Sequence, residues 1–311
     1  MKRVLFAIIA ALAAFHSLPA QNPTFSVSVA ERDTCSLIMD VYMPEDNAVL
    51  HPCIVYIYGG GFILKGQRES YVTGFCQRAA NDGFVAVAPD YRLGLKGQMS
   101  KSYVGMVKPL DKAIHMAVED VYSAISYIIE NAEDLRVDTS KIILAGTSAG
   151  AITALQMDYE LGNNTEYVAY MPYGFRFAGV ISCSGAIFSR NGVPTYNVQD
   201  PAPTFFLHGT KDKLVTYNKI QFLNIGFFGS NAIAKQFKSK GYPYVFYRYE
   251  GRSHEVSAFN IPEYDAIMQF INECALGDKR YMVEKTITDL QLNQSTVLNW
   301  NTTDLFNADK K

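Results

Sequence analysis

The sequence predicts one α/β domain: a mostly parallel central sheet with helices on both faces. Two observations carry that expectation. Short β-branched and aromatic runs alternate with longer stretches of helical periodicity over about 240 residues. Several of the short runs are apolar throughout instead of alternating, as in Ile142-Ile143-Leu144-Ala145 and Phe205-Phe206-Leu207. An unbroken apolar run suits a strand covered on both faces, which is the parallel-sheet arrangement.

In chain order, Ser36–Met43, Pro52–Tyr58 and Phe84–Ala88 read as strands, followed by Lys141–Ala145, Phe177–Cys183, Thr204–His208 and Tyr244–Glu250. Between them, Val72–Asn81, Lys112–Asn131, Ala149–Leu161 and Pro262–Ala275 repeat apolar residues at helical spacing; Ala117, Val121, Ala124, Ile125 and Ile128 form one such stripe. Leu93–Leu110, rich in Gly, Lys and Ser, reads as a loop or the edge of a lid. Asp158–Arg176, with its Asn-Asn-Thr turn, reads as a connection that could overhang a site. From residue 277 to 311 the chain is polar, either packed on the domain of residues 21–276 or frayed from it.

The composition, 49% hydrophobic and 19% charged, is that of a folded protein and excludes disorder, collagen-like repeats and coiled coil. With 28 basic and 30 acidic residues and no basic patch, nucleic acid is not expected as a partner. Lys2 and Arg3 precede a twelve-residue apolar run, Val4 to Phe15, and then His16-Ser17-Leu18-Pro19-Ala20. That run falls well short of the ~20 residues needed to cross a bilayer, and its charge order is that of a secretory signal. Residues 1–20 are therefore expected to be a signal peptide cleaved near Ala20, giving an exported protein, periplasmic or extracellular. No Cys follows the run to take a lipid, and no stable membrane anchor is expected. The five cysteines, Cys35, Cys53, Cys76, Cys183 and Cys274, are widely spaced with no CxxC pair, so they read mainly as buried free thiols.

The chemistry concentrates at strand ends. Gly146-Thr147-Ser148-Ala149-Gly150 follows an apolar strand and opens a helix, which is G-x-S-x-G in the strand–turn–helix context that lifts a serine hydroxyl above a sheet edge. Tyr58-Gly59-Gly60-Gly61-Phe62 ends another strand, and three glycines allow the backbone to approach a ligand and aim N–H groups at it. A phosphate loop is excluded there, because Gln67 stands where the Walker lysine would be. A serine nucleophile needs a base and an orienting carboxylate. Among five histidines, His16 lies in the leader, His51 at the wrong end of a strand, His115 inside a helix, and His208 at a strand end before Gly209. His254 follows a strand through a Gly-Arg-Ser loop, on the same edge as Ser148, and is the best base. Asp212, just past another strand end, is preferred as the carboxylate over Asp200 and Glu255. HExxH fails at Ala258, no ligand cluster has metal spacing, and no metal or other cofactor is expected.

These pieces together resemble the α/β-hydrolase esterases, within them the hormone-sensitive-lipase-like and carboxylesterase-like groups. The resemblance runs from about residue 36 to 275: Gly59-Gly60-Gly61, Pro89-Asp90-Tyr91-Arg92-Leu93, Glu119-Asp120-Val121, Gly146–Gly150, His208–Asp212 and His254. It implies catalytic Ser148, Asp212 and His254, an oxyanion hole from the N–H groups of Gly60, Gly61 and Ala149, and an Arg92–Asp120 structural ion pair. Tyr58 and Thr147 depart from the family's usual His and acidic residue. In this fold the helices carrying Cys76 and Cys274 usually cover one sheet face, which leaves a disulfide between them open.

The function expected from these readings is hydrolysis of short-chain or compact acyl carboxylic esters through an acyl-enzyme, on a small ester or an acylated carbohydrate such as an acetylated or feruloylated plant polysaccharide. A carbohydrate alcohol is suggested by the leader and by the tyrosines of Tyr159–Tyr173 and Tyr242–Tyr249. The alternatives are a serine peptidase of the prolyl-oligopeptidase type, whose large propeller this chain has no room for, and a non-catalytic binding protein of the same fold.

Overall fold

Nine strands form the central sheet of the computed structural model, in the order β1-β2-β4-β3-β5-β6-β8-β11-β12. The structure describes residues 23–288, apart from 34, 47, 48, 101 and 170, together with 307 and 309; the leader and most of the polar tail lie outside the described residues. β1 (Phe25–Arg32) and β2 (Cys35–Tyr42) make an antiparallel hairpin at one edge. β3 (His51–Ile57), β4 (Val85–Pro89), β5 (Val137–Thr147), β6 (Gly179–Cys183), β8 (Thr204–Gly209) and β11 (Tyr244–Glu250) are mutually parallel. Every residue of β4, β6 and β8 is buried. Because successive side chains point to opposite faces, both faces of the sheet are covered.

The helices are α1 (Ser70–Asn81), α2 (Tyr103–Glu130), α3 (Ala149–Asn163), α4 (Ser230–Lys240) and α5 (Tyr264–Phe270). The units β3–α1–β4 and β5–α3–β6 step across the sheet in opposite directions. Right-handed crossovers then put α1 and α3 on opposite faces, and the crevice between their strands opens at the C-terminal edge. α1 packs against α5 through Phe75 and Tyr264, whose ring centroids lie 5.3 Å apart. α2 packs against α3, where Tyr122 donates to the Met157 carbonyl at 2.7 Å.

Three sequence expectations change. Leu93–Leu110 is not all loop, because α2 begins at Tyr103, where the Ser102 side chain caps the helix by accepting from the Gly105 N–H. Pro109 and the solvated first turns, with Val104 exposed, mask that start in the sequence. Asp158–Arg176 is helical as far as Asn163, and Asn164 closes α3 in the left-handed conformation at φ 50°. The polar stretch after residue 276 contributes β12 (Met282–Thr288), which pairs in parallel with β11. A second sheet, β7 (Ala186–Ser189), β10 (Ile225–Gly229) and β9 (Lys219–Phe222), is antiparallel.

No disulfide forms among the five cysteines, all of which are described. Cys76 and Cys274 are buried separately, as are Cys53 and Cys183, and burial pushes the Cys53 thiol up to about 12. Asp120 is fully buried and receives Arg92 Nε at 2.8 Å and Arg32 Nε at 2.9 Å, tying the end of β4 and the first hairpin to α2.

Candidate active site

β5 delivers its last residues into a turn too tight for ordinary backbone. Ser148 has φ 51° and ψ −118°, a strained conformation for a residue with a Cβ. The Ser148 N–H donates to the Cys183 carbonyl at 2.9 Å, and its carbonyl accepts from Ile152 N–H, so neighbouring elements hold the strain in place. The flanking glycines are required sterically: a Cβ on Gly150 would lie 2.0 Å from the Ile57 carbonyl oxygen, and one on Gly146 would lie 2.4 Å from that of Gly150. The serine consequently projects from the start of α3, where the first N–H groups have no partner within the helix and the dipole favours negative charge.

β3, the neighbour of β5, brings the glycine loop alongside. A Cβ on Gly59 would sit 3.3 Å from Ser148 Cβ. Gly60 and Gly61 take φ of 125° and 64°, and the Gly60 carbonyl accepts from the N–H groups of Ile63 and Leu64 at 3.1 and 3.0 Å, which closes the loop on itself. Tyr58, one of the two departures from the resembling family's pattern, braces the glycine loop. Its hydroxyl donates to Asp90 Oδ1 at 2.7 Å, its carbonyl accepts from the Tyr91 hydroxyl at 2.9 Å, and the two rings stack at 4.4 Å. Lys65 pairs with the other Asp90 oxygen. Thr147 is buried beside the serine and carries no charge.

Two further strand ends supply the remaining groups. Asp212 follows β8, and His254 opens a 3-10 turn after β11. The two loops are stitched together: Lys211 N–H donates to the Arg252 carbonyl at 2.8 Å, Thr210 N–H to the Tyr249 carbonyl at 3.0 Å, and Gly251 N–H to Thr210 Oγ1 at 3.0 Å. His254 Nδ1 donates to Asp212 Oδ2 at 2.8 Å, and the Ser148 hydroxyl donates to His254 Nε2 at 2.9 Å. Asp212 Oδ1 accepts from the N–H groups of Leu214 and Val215 at 2.9 and 3.0 Å. Burial works to raise the Asp212 carboxyl, but its contacts with His208 and His254 outweigh burial and hold it well below the usual carboxylate range.

The structure thus brings Ser148, Asp212 and His254 into one hydrogen-bonded chain, with the glycine loop beside the serine at Gly59 and Ala149 next to it in sequence. The unchosen residues have other work. His51 bonds the Gly83 and Asp46 carbonyls, and Glu255 accepts the Ser253 N–H at 3.0 Å, bracing the turn that carries His254. One participant escapes the sequence reading. His208 is fully buried, with Nε2 3.3 Å from Asp212 Oδ2 and 3.2 Å from the Val215 carbonyl, and Nδ1 2.8 Å from Ser230 Oγ. Its position four residues ahead of Asp212, across the Thr210-Lys211 turn, was the available signal.

Tyr244 and Tyr249 are buried within β11, Tyr159 is buried on α3, and Tyr167 lines a separate cavity. Among the described residues no helix is long and apolar enough to cross a membrane.

The BD-FAE family model matches residues 39–187, a stretch holding the glycine loop and the serine turn. An ethyl acetate hydrolase of Pseudomonas putida is 26% identical over 46% of this chain and 41% of its own length. Carboxylesterase 20 of Arabidopsis thaliana is 29% identical over 42% of this chain and 38% of its own. The chain therefore spans less than half the length of the curated relatives it matches. Among solved structures, the propionate-bound esterase 2 of Thermogutta terrifontis superposes with a TM-score of 0.60 at 20% identity, covering 86% of this chain and 99% of that one. From the fold, the serine turn and these likenesses, the chain has the α/β-hydrolase fold and is similar to esterases that share it.

Proposed function

We propose that this protein is a serine carboxylesterase for esters with a short or compact acyl group. One observation carries the reading: the unbroken chain from Asp212 through His254 to Ser148, at 2.8 and 2.9 Å, on a strained serine beside the glycine loop. Ser148 Oγ attacks the acyl carbon while His254 Nε2 takes its proton. The oxyanion that forms is received by the N–H groups of Gly60, Gly61 and Ala149. His254 then gives the proton to the departing alcohol, leaving an acyl-enzyme. Water repeats the sequence, losing a proton to His254 and releasing the acid. Asp212 holds the ring in the tautomer that leaves Nε2 free to accept and steadies its charged form.

A short acyl group is supported by the relative named for ethyl acetate and by the Thermogutta neighbour's propionate- and butyrate-bound forms. An acylated carbohydrate outside the cytoplasm is the natural context of an exported enzyme, and it rests on the leader of residues 1–20. N-terminal sequencing of secreted material, expected to begin at or near Gln21, tests the export; a mature chain retaining Met1 refutes it.

A panel tests the chemistry: p-nitrophenyl esters from acetate to palmitate, methyl ferulate, acetylated xylan and a proline-containing peptide amide, each with Ser148→Ala alongside. Acetate or butyrate well above palmitate supports the reading. Long-chain preference makes the protein a lipase, and amide cleavage makes it a peptidase.

A further inference from the structure

Asp212 is held by more than the base it orients. Its Oδ1 accepts from two backbone N–H groups, and its Oδ2 faces two histidines, His254 Nδ1 at 2.8 Å and His208 Nε2 at 3.3 Å. His208 lies in β8 with no exposed surface, and no step of ester hydrolysis set out above uses it. A buried polar ring persists where its nitrogens have partners, and here the partners converge on the carboxylate.

The surroundings of His208 place its proton. Nε2 lies 3.2 Å from the Val215 carbonyl as well as 3.3 Å from Asp212 Oδ2, and a carbonyl and a carboxylate can only accept. Nε2 therefore carries a hydrogen, in the neutral and the charged ring alike. Nδ1 lies 2.8 Å from Ser230 Oγ, a hydroxyl able to donate or accept, at the first residue of α4. The Tyr217 ring meets the imidazole edge-on, centroids 5.6 Å apart. Val215 closes a circuit: its carbonyl takes the His208 N–H, and its own N–H goes to Asp212 Oδ1 at 3.0 Å. One histidine thus bears on both carboxylate oxygens, on Oδ2 directly and on Oδ1 through the Val215 peptide. Burial works to raise the Asp212 carboxyl, and of the contacts that overcome it the one with His208 is the largest, ahead of His254.

We propose that, given the esterase reading, His208 is a positioning residue: it fixes Asp212 against His254 and, by sharing Oδ2 with that ring, sets the acid limit of activity. Two donors draw on one negative charge at Oδ2, so the His208 N–H weakens the hold of Asp212 on the protonated His254 ring. Without it Oδ2 faces His254 alone, the ring keeps its proton to higher pH, and the base is lost earlier as pH falls. The other ionisable groups around this pair stay in place when His208 is replaced. Glu255, on the turn that carries His254, feels the Asp212 charge and lies 3.9 Å from Arg252. Lys211 and Lys213 flank Asp212 in the chain. Arg248, Glu250 and Glu284 act on Tyr217, and Glu263 on Cys183.

The test is the pH dependence of p-nitrophenyl acetate hydrolysis by the wild type, His208→Leu and His208→Gln, with ring ¹⁵N spectra of the same proteins. In the wild type the spectra are expected to show His208 with its proton on Nε2; a bare Nε2 overturns the proposal without any variant. His208→Leu cannot donate. It is expected to move the acid side of the kcat/KM profile up by about half a pH unit or more, and to lower kcat about ten-fold with little change in KM. His208→Gln keeps an N–H donor, so its acid side should stay near that of the wild type, with most of kcat recovered. A folded His208→Leu with the wild-type profile, or a His208→Gln profile displaced upward, overturns the proposal. Should His208→Leu not fold, the wild-type spectrum and the His208→Gln profile decide. If the wild type hydrolyses no ester while the His254 ring signals titrate at higher pH in His208→Leu, the esterase reading falls and the hold of His208 on Asp212 stands.

Discussion

Replacing Asp212 by Asn separates charge from shape at the candidate site. The amide can sit in two orientations. With its nitrogen at the Oδ1 position, an NH₂ group would face the N–H donors of Leu214 and Val215, now 2.9 and 3.0 Å away, leaving buried donors unsatisfied at ~1–3 kcal/mol each. The nitrogen must therefore take the Oδ2 position, 2.8 Å from His254 Nδ1. There it donates, and Nδ1 must accept. The ring proton moves to Nε2, where it faces the Ser148 hydroxyl and can no longer take its proton. A wrong tautomer of this kind costs about 10⁴ in rate, or about 5 kcal/mol of barrier. The assay is kcat/KM for p-nitrophenyl acetate near neutral pH, with thermal melting to confirm folding. A folded Asp212→Asn enzyme losing less than about 30-fold would show that Asp212 does not orient the base, and would move that role to another carboxylate.

Further outcomes follow from neighbouring parts of the structure. Gly150→Ala drives a Cβ to 2.0 Å from the Ile57 carbonyl oxygen, so it should lower stability by several kcal/mol and abolish activity together; a stable, active variant on urea denaturation and ester assay contradicts the packing of α3 on β3. Tyr58→Phe leaves buried Asp90 Oδ1 short of a donor and should cost ~1–3 kcal/mol with loosening of the glycine loop, seen as a fall in kcat greater than any rise in KM. His115 is raised from 6.5 to about 9 in the folded protein, so its stabilisation is fully present below about 6.5 and is lost as pH climbs through 9. Up to about 3 kcal/mol is involved. The pH dependence of urea stability across that window should flatten in His115→Gln, and an unchanged slope refutes the assignment.

The parallel core was legible because strands buried on both faces must be apolar throughout: β3, β5, β8 and β11 stand close to where Pro52–Tyr58, Lys141–Ala145, Thr204–His208 and Tyr244–Glu250 were expected. Three of the elements that escaped notice lack that signature. Half of β1 is exposed, β9 is wholly so and β12 nearly so, and their partners, not their own sequence, hold them in place. At the site, Ser148 and the glycines were readable because the backbone there tolerates few residues, and His254 and Asp212 because they sit just past strands. His208 was not, since only the fold reveals that a histidine ending one strand turns inward to meet Asp212 instead of leaving the sheet. Nor does sequence spacing disclose the cavity between α2 and α3, whose wall joins Asp111 and His115 to Glu160, forty-five residues further along.

The central claim, that Ser148 is a nucleophile activated by His254, is tested most directly by labelling the folded protein with a fluorophosphonate and locating the adduct by peptide mass spectrometry. A single adduct is expected on Ser148, absent in Ser148→Ala and slowed by orders of magnitude in His254→Ala. An adduct on another residue, or undiminished ester hydrolysis by Ser148→Ala, contradicts it.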